Sequence, residues 1–383
     1  MKLSLKKPTL SRPSFSLSKP TLSLGRGGKK ETALVGLEIE AGSIAAAEVH
    51  ANGEARVGTV AVQALPAGAF DDGEVVDPDT VAEALRTLFA ANKLPKRVRL
   101  GIANQRVVVR TVRLPAIEDP AELDSAVRFT AQEQIAMPLD QAMIDHRVIG
   151  GVSAAEGAPP QVDVIVVAAR RDMISASLKP LRDAGLEPVG VDLSAFGMIR
   201  ALAEAPSAAM STEPGAEAAP AAVLYCNVGD VTNLAVAKGR SCLFTRVSPV
   251  GLDDMAASLS AKLQLIPEHA RMWIEYTGLT LPLEQIEGDP ALLAEARSAL
   301  ERGADALLDE LRLSLDFYGA QEAAVPVDRV VLCGPGSAIA GLPERLEPGL
   351  GMPISVGRPQ ALAGLDAASA ARLTLPYGIA LEH

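Results

Sequence analysis

Aromatic residues are scarce: one Trp, four Tyr and seven Phe make up 3% of 383 residues. That leaves little for the stacking platforms on which single-stranded nucleic acid is bound. Cysteine is scarcer still. Cys226, Cys242 and Cys333 stand far apart with no C-x-x-C pair, which suits buried thiols in a reducing compartment better than a disulfide frame or zinc site. The four histidines, His50, His146, His269 and His383, show neither H-x-x-x-H nor H-E-x-x-H spacing, so the helical two-histidine zinc motif is missing. No apolar run approaches the roughly 18 residues of a membrane span; the run 164–169 is far shorter. The charged opening lacks the apolar centre of a signal peptide. A cytoplasmic protein is expected.

What is present is an ordinary globular balance, 48% hydrophobic and 22% charged, in a chain long enough for two packed lobes. The net charge of −11 hides an asymmetry. Residues 1–30 hold eight basic side chains (Lys2, Lys6, Lys7, Arg12, Lys19, Arg26, Lys29, Lys30) and no acid, leaving 28 basic against 47 acidic residues in the rest. The body therefore repels nucleic acid and anionic lipid, while the leading segment attracts them. That segment repeats itself loosely, Lys7-Pro8-Thr9-Leu10-Ser11 echoed by Lys19-Pro20-Thr21-Leu22-Ser23. Its composition buries too little apolar surface to offset ordering, so 1–32 reads as a basic flexible arm. Leu381-Glu382-His383 resembles the scar that precedes a purification tag and is given no function.

From residue 33 onward, periodicity predicts strands at 33–39, 44–50 and 55–62, with Asn52-Gly53 as a hairpin turn. Asp77-Pro78 reads as cap and first position of a helix, followed by a strand at 97–102. A second unit follows: strand 107–114, helix 120–134, strands 143–150 and 162–169 joined by a long turn at 152–161, and helix 172–184. The chain returns through strand 188–193 and helix 194–204 to a periodless Ala/Pro/Glu/Ser stretch, 206–220, read as a linker. The opening pattern then recurs, with strands at 221–228, 233–237 and 242–247. A helical stretch from about 252 to 319 breaks once, around 280–289. Strand 329–333, a Gly-Pro-Gly turn, a helix, strand 354–356 and a helix at about 373–380 close the chain. Two halves that both open on a three-stranded meander imply duplication around a cleft.

Three glycine-bearing turns each follow a buried strand: Gly36 through Ser43, Asn227 through Thr232, and Cys333-Gly334-Pro335-Gly336-Ser337. Small residues let backbone N–H groups approach an anion, and turns between strands can form nests of donors. For any single turn, glycine's service in a hairpin or cap is explanation enough. Together the three have the layout of a phosphate clamp with a nucleoside shelf. Asp71-Asp72 and Asp253-Asp254 read as turn and helix-start residues, Trp273 and Tyr276 as packing, and His146 beside Asp145 as a surface strand position.

The order of these elements resembles the PilM family of type IV pilus inner-membrane platforms, actin-like proteins related to FtsA. The likeness runs from about 33 to 380. It is carried by Ala64-Leu65-Pro66-Ala67-Gly68 through Asp77-Pro78, by Glu133-Gln134-Ile135-Ala136-Met137-Pro138-Leu139, and by Val166-Val167-Ala168-Ala169-Arg170-Arg171. Leu243-Phe244-Thr245-Arg246 and Arg312-Leu313-Ser314-Leu315-Asp316-Phe317-Tyr318 add to it. The resemblance implies an α/β actin-like ATPase fold, a duplicated ribonuclease H-like architecture of two lobes with a small inserted βαββα subdomain. Its division here is a first lobe at 33–205 (core subdomain 33–104 and 187–205, inserted subdomain 105–186), and a second lobe at 221–380 with a helical part at about 252–320. It implies a nucleotide between the lobes, touched by Gly36, Glu38, Gly42, Ser43, Asn227, Gly229, Thr232, Glu310, Gly334, Gly336 and Ser337. It also implies a groove between core and inserted subdomains that takes the N-terminal cytoplasmic peptide of PilN, a bitopic membrane protein.

The departures from the family's pattern matter. Where its first turn commonly reads G-I-D-I-G-S-S-S-V-K, this chain has Glu38 for Asp, Glu40 for Gly and Ala45 for Lys. Asn227-Val228-Gly229 replaces D-I-G, Gly334-Pro335-Gly336 replaces G-G-G, and Leu313 stands where an Arg is common. A carboxylate is gained beside the phosphates, while a metal-facing acid and a donor are lost. Weak or absent binding of ATP and Mg²⁺ is expected, with no efficient hydrolysis and no catalytic residue. The expected role is a cytoplasmic scaffold at the inner face of the membrane, reached through PilN or the basic arm, with pilus assembly ATPases and a homo-oligomer as further contacts. The competing reading is a nucleotide-binding, polymerising ATPase of the FtsA type. A sugar kinase ranks last, because no acid stands in a glycine-rich strand-end context.

Overall fold

The computed structural model describes residues 33–381 apart from 53, 136, 153–159, 204–220 and 322–323. The basic arm, the 206–220 linker, most of the 152–161 turn, Gly53 of the Asn52-Gly53 turn, and Glu382-His383 lie outside the described residues.

Strands β1 (Ala33–Ile39), β2 (Ser43–Asn52) and β3 (Glu54–Ala64) form the first meander. A short hairpin, β4 (Phe70–Asp71) and β5 (Glu74–Val75), turns on Asp72 and Gly73 and leads into α1 (Pro78–Asn92) and β6 (Arg97–Ile102). The inserted stretch holds β7 (Val108–Pro115), α2 (Pro120–Gln134), β8 (Ala142–Val152), β9 (Gln161–Arg170) and α3 (Arg171–Asp183), and β10 (Glu187–Leu193) and α4 (Ser194–Leu202) complete the half. The second half repeats the plan with β11 (Ala222–Val228), β12 (Thr232–Lys238) and β13 (Ser241–Ser248), followed by α5 (Leu252–Leu263), α6 (Pro267–Thr277) and α7 (Pro290–Gly319). It ends in β14 (Val327–Cys333), α8 (Leu342–Leu350), β15 (Ile354–Val356) and α9 (Ala367–Ala380).

The two large sheets have matching orders, β10-β6-β1-β2-β3 and β13-β12-β11-β14-β15. In each, an antiparallel meander is extended by parallel strands: β6 beside β1 in one, β14 beside β11 in the other. The inserted sheet runs β7-β9-β8, all antiparallel. Helices α1, α2 and α7 begin alike. Asp77, Asp119 and Asp289 each accept two backbone N–H bonds, with proline in the first turn, a start worth about 1 kcal/mol per cap.

Four differences from the sequence reading have physical causes. The helical stretch breaks twice, not once: Gln264 takes a left-handed φ of 55° and ends α5, and Pro267 starts α6. The Gly-Pro-Gly turn runs into a single 3-10 turn at Pro335–Ala338 before α8 begins. Helix α3 folds back against α1, with Ile174, Leu178 and Leu181 in the large core shared with Leu85 and Leu88. Helix α9 starts six residues early, on an Asp366 cap, and does not stay with the second lobe. Leu375 and Ile379 pack with Val35 and Leu37 of β1, and Leu373 and Tyr377 with Ala47 and Val49 of β2. Arg99 donates to the carbonyls of Ile379 and Leu381 at 3.0 and 3.1 Å, fixing the end of α9 on β6. Helices α4 and α9 thus fill the space between the lobes. Among the described residues, no helix is long and apolar enough to cross a membrane.

Candidate functional site

The β1–β2 turn (40–42) and the β11–β12 turn (229–231) are equivalent parts of the two halves, and they meet face to face. Each is closed locally: Glu40 N–H donates to Ser43 O at 2.9 Å, and Gly229 N–H to Val231 O at 3.2 Å. Across the cleft, Gly42 N–H donates to Asp230 Oδ2 at 3.3 Å, and Asp230 N–H donates to Glu40 Oε1 at 3.4 Å. One backbone donor of each turn thus faces a carboxylate of the other.

Two arginines complete the contact. Arg271 on α6, its side chain 12% accessible, pairs with Asp230 and lies 3.2 Å from Glu275 and 3.6 Å from Asp253. Arg372 on α9 reaches Glu275 at 3.3 Å, so Glu275 bridges a cation from each side of the cleft. Burial first, then Asp230, pushes the Glu40 carboxyl up to about 7, with Arg271 and Arg372 working against that rise. Burial opposes the charge of Arg271, yet Asp230, Glu40 and Glu275 hold its titration above the ordinary arginine range.

Below this contact Glu38 is 7% exposed. The Ser194 hydroxyl at the start of α4 is 2.8 and 2.9 Å from its two carboxyl oxygens. Desolvation raises the Glu38 carboxyl to about 8, the Ser194 bond lowering it and Glu40 adding to the rise. A buried carboxyl with that titration holds its proton at neutral pH and so need not be paired with a cation.

Of the residues predicted to touch a nucleotide, Glu38, Ser43 and Asn227 line one narrow space with Glu40, Pro335 and Arg372. Gly229 sits beneath Glu40, where a Cβ would collide with the Glu40 carboxylate. Gly334, at φ 77°, and Gly336 are pressed on Asn227 and Val228, and Ser337 donates to Gly334 O at 2.7 Å. Thr232 is buried, its hydroxyl donating to Val250 O at 2.6 Å. Gly36 faces away under α9, because a Cβ there would strike the Pro376 carbonyl. Glu310 pairs with Arg246 at 3.1 Å. Gly42 keeps its place at the turn. The sequence reading missed Arg271, Glu275, Arg372 and Ser194. Only the Arg271–Glu275 spacing of four residues hinted at a pair, and such pairs are usually solvated. Asp253 does more than open α5, since it also faces Arg271, while Trp273 and Tyr276 meet edge-on at 5.7 Å. His146 is half-buried, with Nδ1 3.8 Å from Asp124.

A nucleotide with Mg²⁺ needs free N–H donors in both turns and an acid free to hold water on the metal. Here one donor of each turn is taken by a carboxylate, Glu40 N–H and Gly229 N–H are closed on their own turns, and Arg271 takes Asp230. Spaces of about 40 and 10 Å³ remain on either side of the Glu40–Asp230 contact, room for a few waters. Among the described residues no three His, Cys, Asp or Glu groups converge on a metal position. The residues present do not fit a bound triphosphate in this arrangement.

A larger space of about 210 Å³ opens where the inserted sheet meets the core, walled by Ile102, Asn104, Val108, Arg110, Ala195 and Val247. Another of about 210 Å³ lies at the opposite edge of the inserted sheet, among Arg147, Ile149, Ile165, Phe196 and Cys242.

The family described as Type IV pilus assembly protein PilM matches residues 36–374. Among solved structures, the chain is similar to the "PilM-PilN type IV pilus biogenesis complex" at 24% identity and a TM-score of 0.74, over 92% of this chain and 98% of that one. It is similar to the ethanolamine utilization protein EutJ from Carboxydothermus hydrogenoformans at 14% identity and a TM-score of 0.50, over 92% and 91%. MreB5 of Spiroplasma citri bound to ADP is similar at 11% identity and a TM-score of 0.46, over 90% and 94%. The fold is the actin-like ATPase fold, with α and β elements in two lobes of like topology.

Proposed function

This chain belongs to the type IV pilus assembly protein PilM family, and from that premise we propose that it is a docking scaffold whose nucleotide cleft is filled by its own side chains. The observation that carries this reading is the reciprocal contact of Glu40 and Asp230, backed by Arg271. A phosphate entering the cleft would have to displace two carboxylates from the donors it needs and strip Asp230 of its counter-cation. Such exchanges cost several kcal/mol when the groups are buried. Chemistry on a nucleotide is therefore given up, and binding elsewhere remains.

The partner in this reading is the N-terminal cytoplasmic segment of a PilN-like membrane protein, held at the junction of inserted and core subdomains. Two features support it: a similar solved structure is a PilM-PilN complex, and among the described residues β7 is an edge strand of the inserted sheet at that junction. An extended peptide adds to such an edge through main-chain bonds. The protein then sits in the cytoplasm at the inner face of the membrane, held by its partner and by the basic arm. The test is titration of a synthetic PilN N-terminal peptide into the full chain. Saturable binding at one site supports the reading, and a flat titration removes it.

A further inference from the structure

The repeat in the basic arm is threefold. Lys7-Pro8-Thr9-Leu10-Ser11, Arg12-Pro13-Ser14-Phe15-Ser16 and Lys19-Pro20-Thr21-Leu22-Ser23 share one order: a cation, proline, a hydroxyl residue, an apolar residue, serine. Proline fixes its own φ and disfavours helix in the residue before it. Each copy is therefore biased toward an extended peptide with a cation at its start and an apolar anchor three residues on. Peptides of this kind dock in aromatic-lined grooves at low entropic cost.

The second lobe carries a groove with that chemistry, and no residue of the inserted subdomain lines it. It is a cavity of about 340 Å³ at the C-terminal end of α6, walled by Tyr276, Thr277, Leu281, Ile286 and Glu287. Tyr276 is 55% exposed and Leu281 51%, and Met272, one turn before Tyr276, is 64% exposed. Trp273 meets Tyr276 edge-on at 5.7 Å. Thr277 is 3% exposed, and its hydroxyl has no hydrogen-bond partner among the described residues, a state that costs stability until a partner arrives. Glu284 and Glu287 form no ion pair among the described residues. An aromatic wall, an apolar recess, unpaired carboxylates and an orphan hydroxyl answer the four parts of the repeat.

We propose that the basic arm docks by one of its three repeats in the α6 groove of its own molecule. The proline packs on Tyr276, the Leu or Phe enters beside Leu281 and Ile286, the cation meets Glu287, and the Thr277 hydroxyl bonds a peptide group of the repeat. Length permits this. The 21 residues between Ser11 and Ala33 span up to about 70 Å when extended, and a compact body of this size has a radius of gyration of about 20 Å. The same cations draw anionic lipid, so groove and membrane compete for the arm. The proposal is independent of the docking of a PilN segment.

Trp273 is the one tryptophan of the chain and reports occupancy of the groove. A synthetic peptide of residues 12–25, which holds two repeats, is titrated into the full chain and into a full-chain arm variant carrying Lys7→Glu, Arg12→Glu and Lys19→Glu, with Trp273 emission as the signal. The arm variant is expected to bind the peptide at least about tenfold more tightly than wild type, whose own arm holds the groove at high effective concentration. Tyr276→Ala, added to the arm variant, is expected to weaken the peptide by about 10- to 100-fold. Tyr276 is exposed, so folding survives its removal, and Glu287→Lys reads the same site a second way. Equal peptide affinity in wild type and arm variant would overturn docking of the arm on its own molecule. Binding unmoved by both groove substitutions, or matched by a peptide of the same composition in scrambled order, would overturn this groove as the site. An arm that binds vesicles containing phosphatidylglycerol, with no response of Trp273 to the peptide, would assign the repeats to the membrane and overturn the proposal. None of these outcomes alters the titration of the PilN peptide, so the two readings fail separately.

Discussion

Glu40 and Asp230 lie 190 positions apart and hold each other across the cleft, the Asp230 amide donating to the Glu40 carboxylate at 3.4 Å. The return bond, from Gly42 N–H to Asp230, makes the contact reciprocal. Two acids this close are tolerable because Arg271 stands beside them with little access to water. The cation is part of the closed cleft, not decoration on its rim.

Arg271→Met is therefore expected to cost about 3–5 kcal/mol, since it strands the buried Asp230 without its paired cation and leaves Glu40 and Glu275 with Arg372 alone. Urea unfolding followed by circular dichroism reads this directly. An unchanged midpoint would mean that these acids do not depend on the arginine.

Glu38 provides a pH signature. Its carboxyl titrates near 8 in the folded protein against an ordinary 4.5. The folded state keeps a proton that the unfolded chain has released between those values, so its contribution is full below pH 4.5 and is lost as pH rises through about 8. Glu38→Gln, which copies the protonated form, is expected to melt several degrees above wild type at about pH 8.5, the gap closing toward pH 5. A gap that is constant with pH would show that Glu38 is ionised throughout.

How much of this was legible in the sequence depends on range. Local punctuation was clear: Asp77-Pro78 and Gly229-Asp230 mark a helix start and a turn by chemistry confined to a few residues, and the structure has them there. The break at Gln264 was hidden, because glutamine rarely takes φ above zero and gives no warning of it, although Ile266-Pro267 was a usable sign. The destination of α9 could not be read, since its apolar face suits either lobe and only tertiary packing selects β1 and β2. In the site, glycine positions were visible as types but not as roles. Gly36, read as a phosphate contact, is a packing residue, and the arginines that fill the cleft come from helices remote in sequence.

Gly36→Ala tests that reassignment. The added methyl would meet the Pro376 carbonyl, backbone that cannot swing aside, so a loss of about 2–4 kcal/mol is expected. It should also loosen α9, visible as faster hydrogen exchange at Leu375 and Ile379. Wild-type stability in this variant would place Gly36 outside the α9 interface.

The most direct measurement is calorimetric titration of ATP with Mg²⁺ into the wild type and into Glu40→Gly, side by side. With the carboxylate removed, the Asp230 amide is freed and the first turn regains a glycine. Glu40→Gly is expected to bind at least about tenfold more tightly than wild type, with the wild type giving little or no heat and no phosphate release. Tight binding and steady turnover by the wild type, undiminished in its own right by the presence of Glu40, would contradict a cleft filled from within.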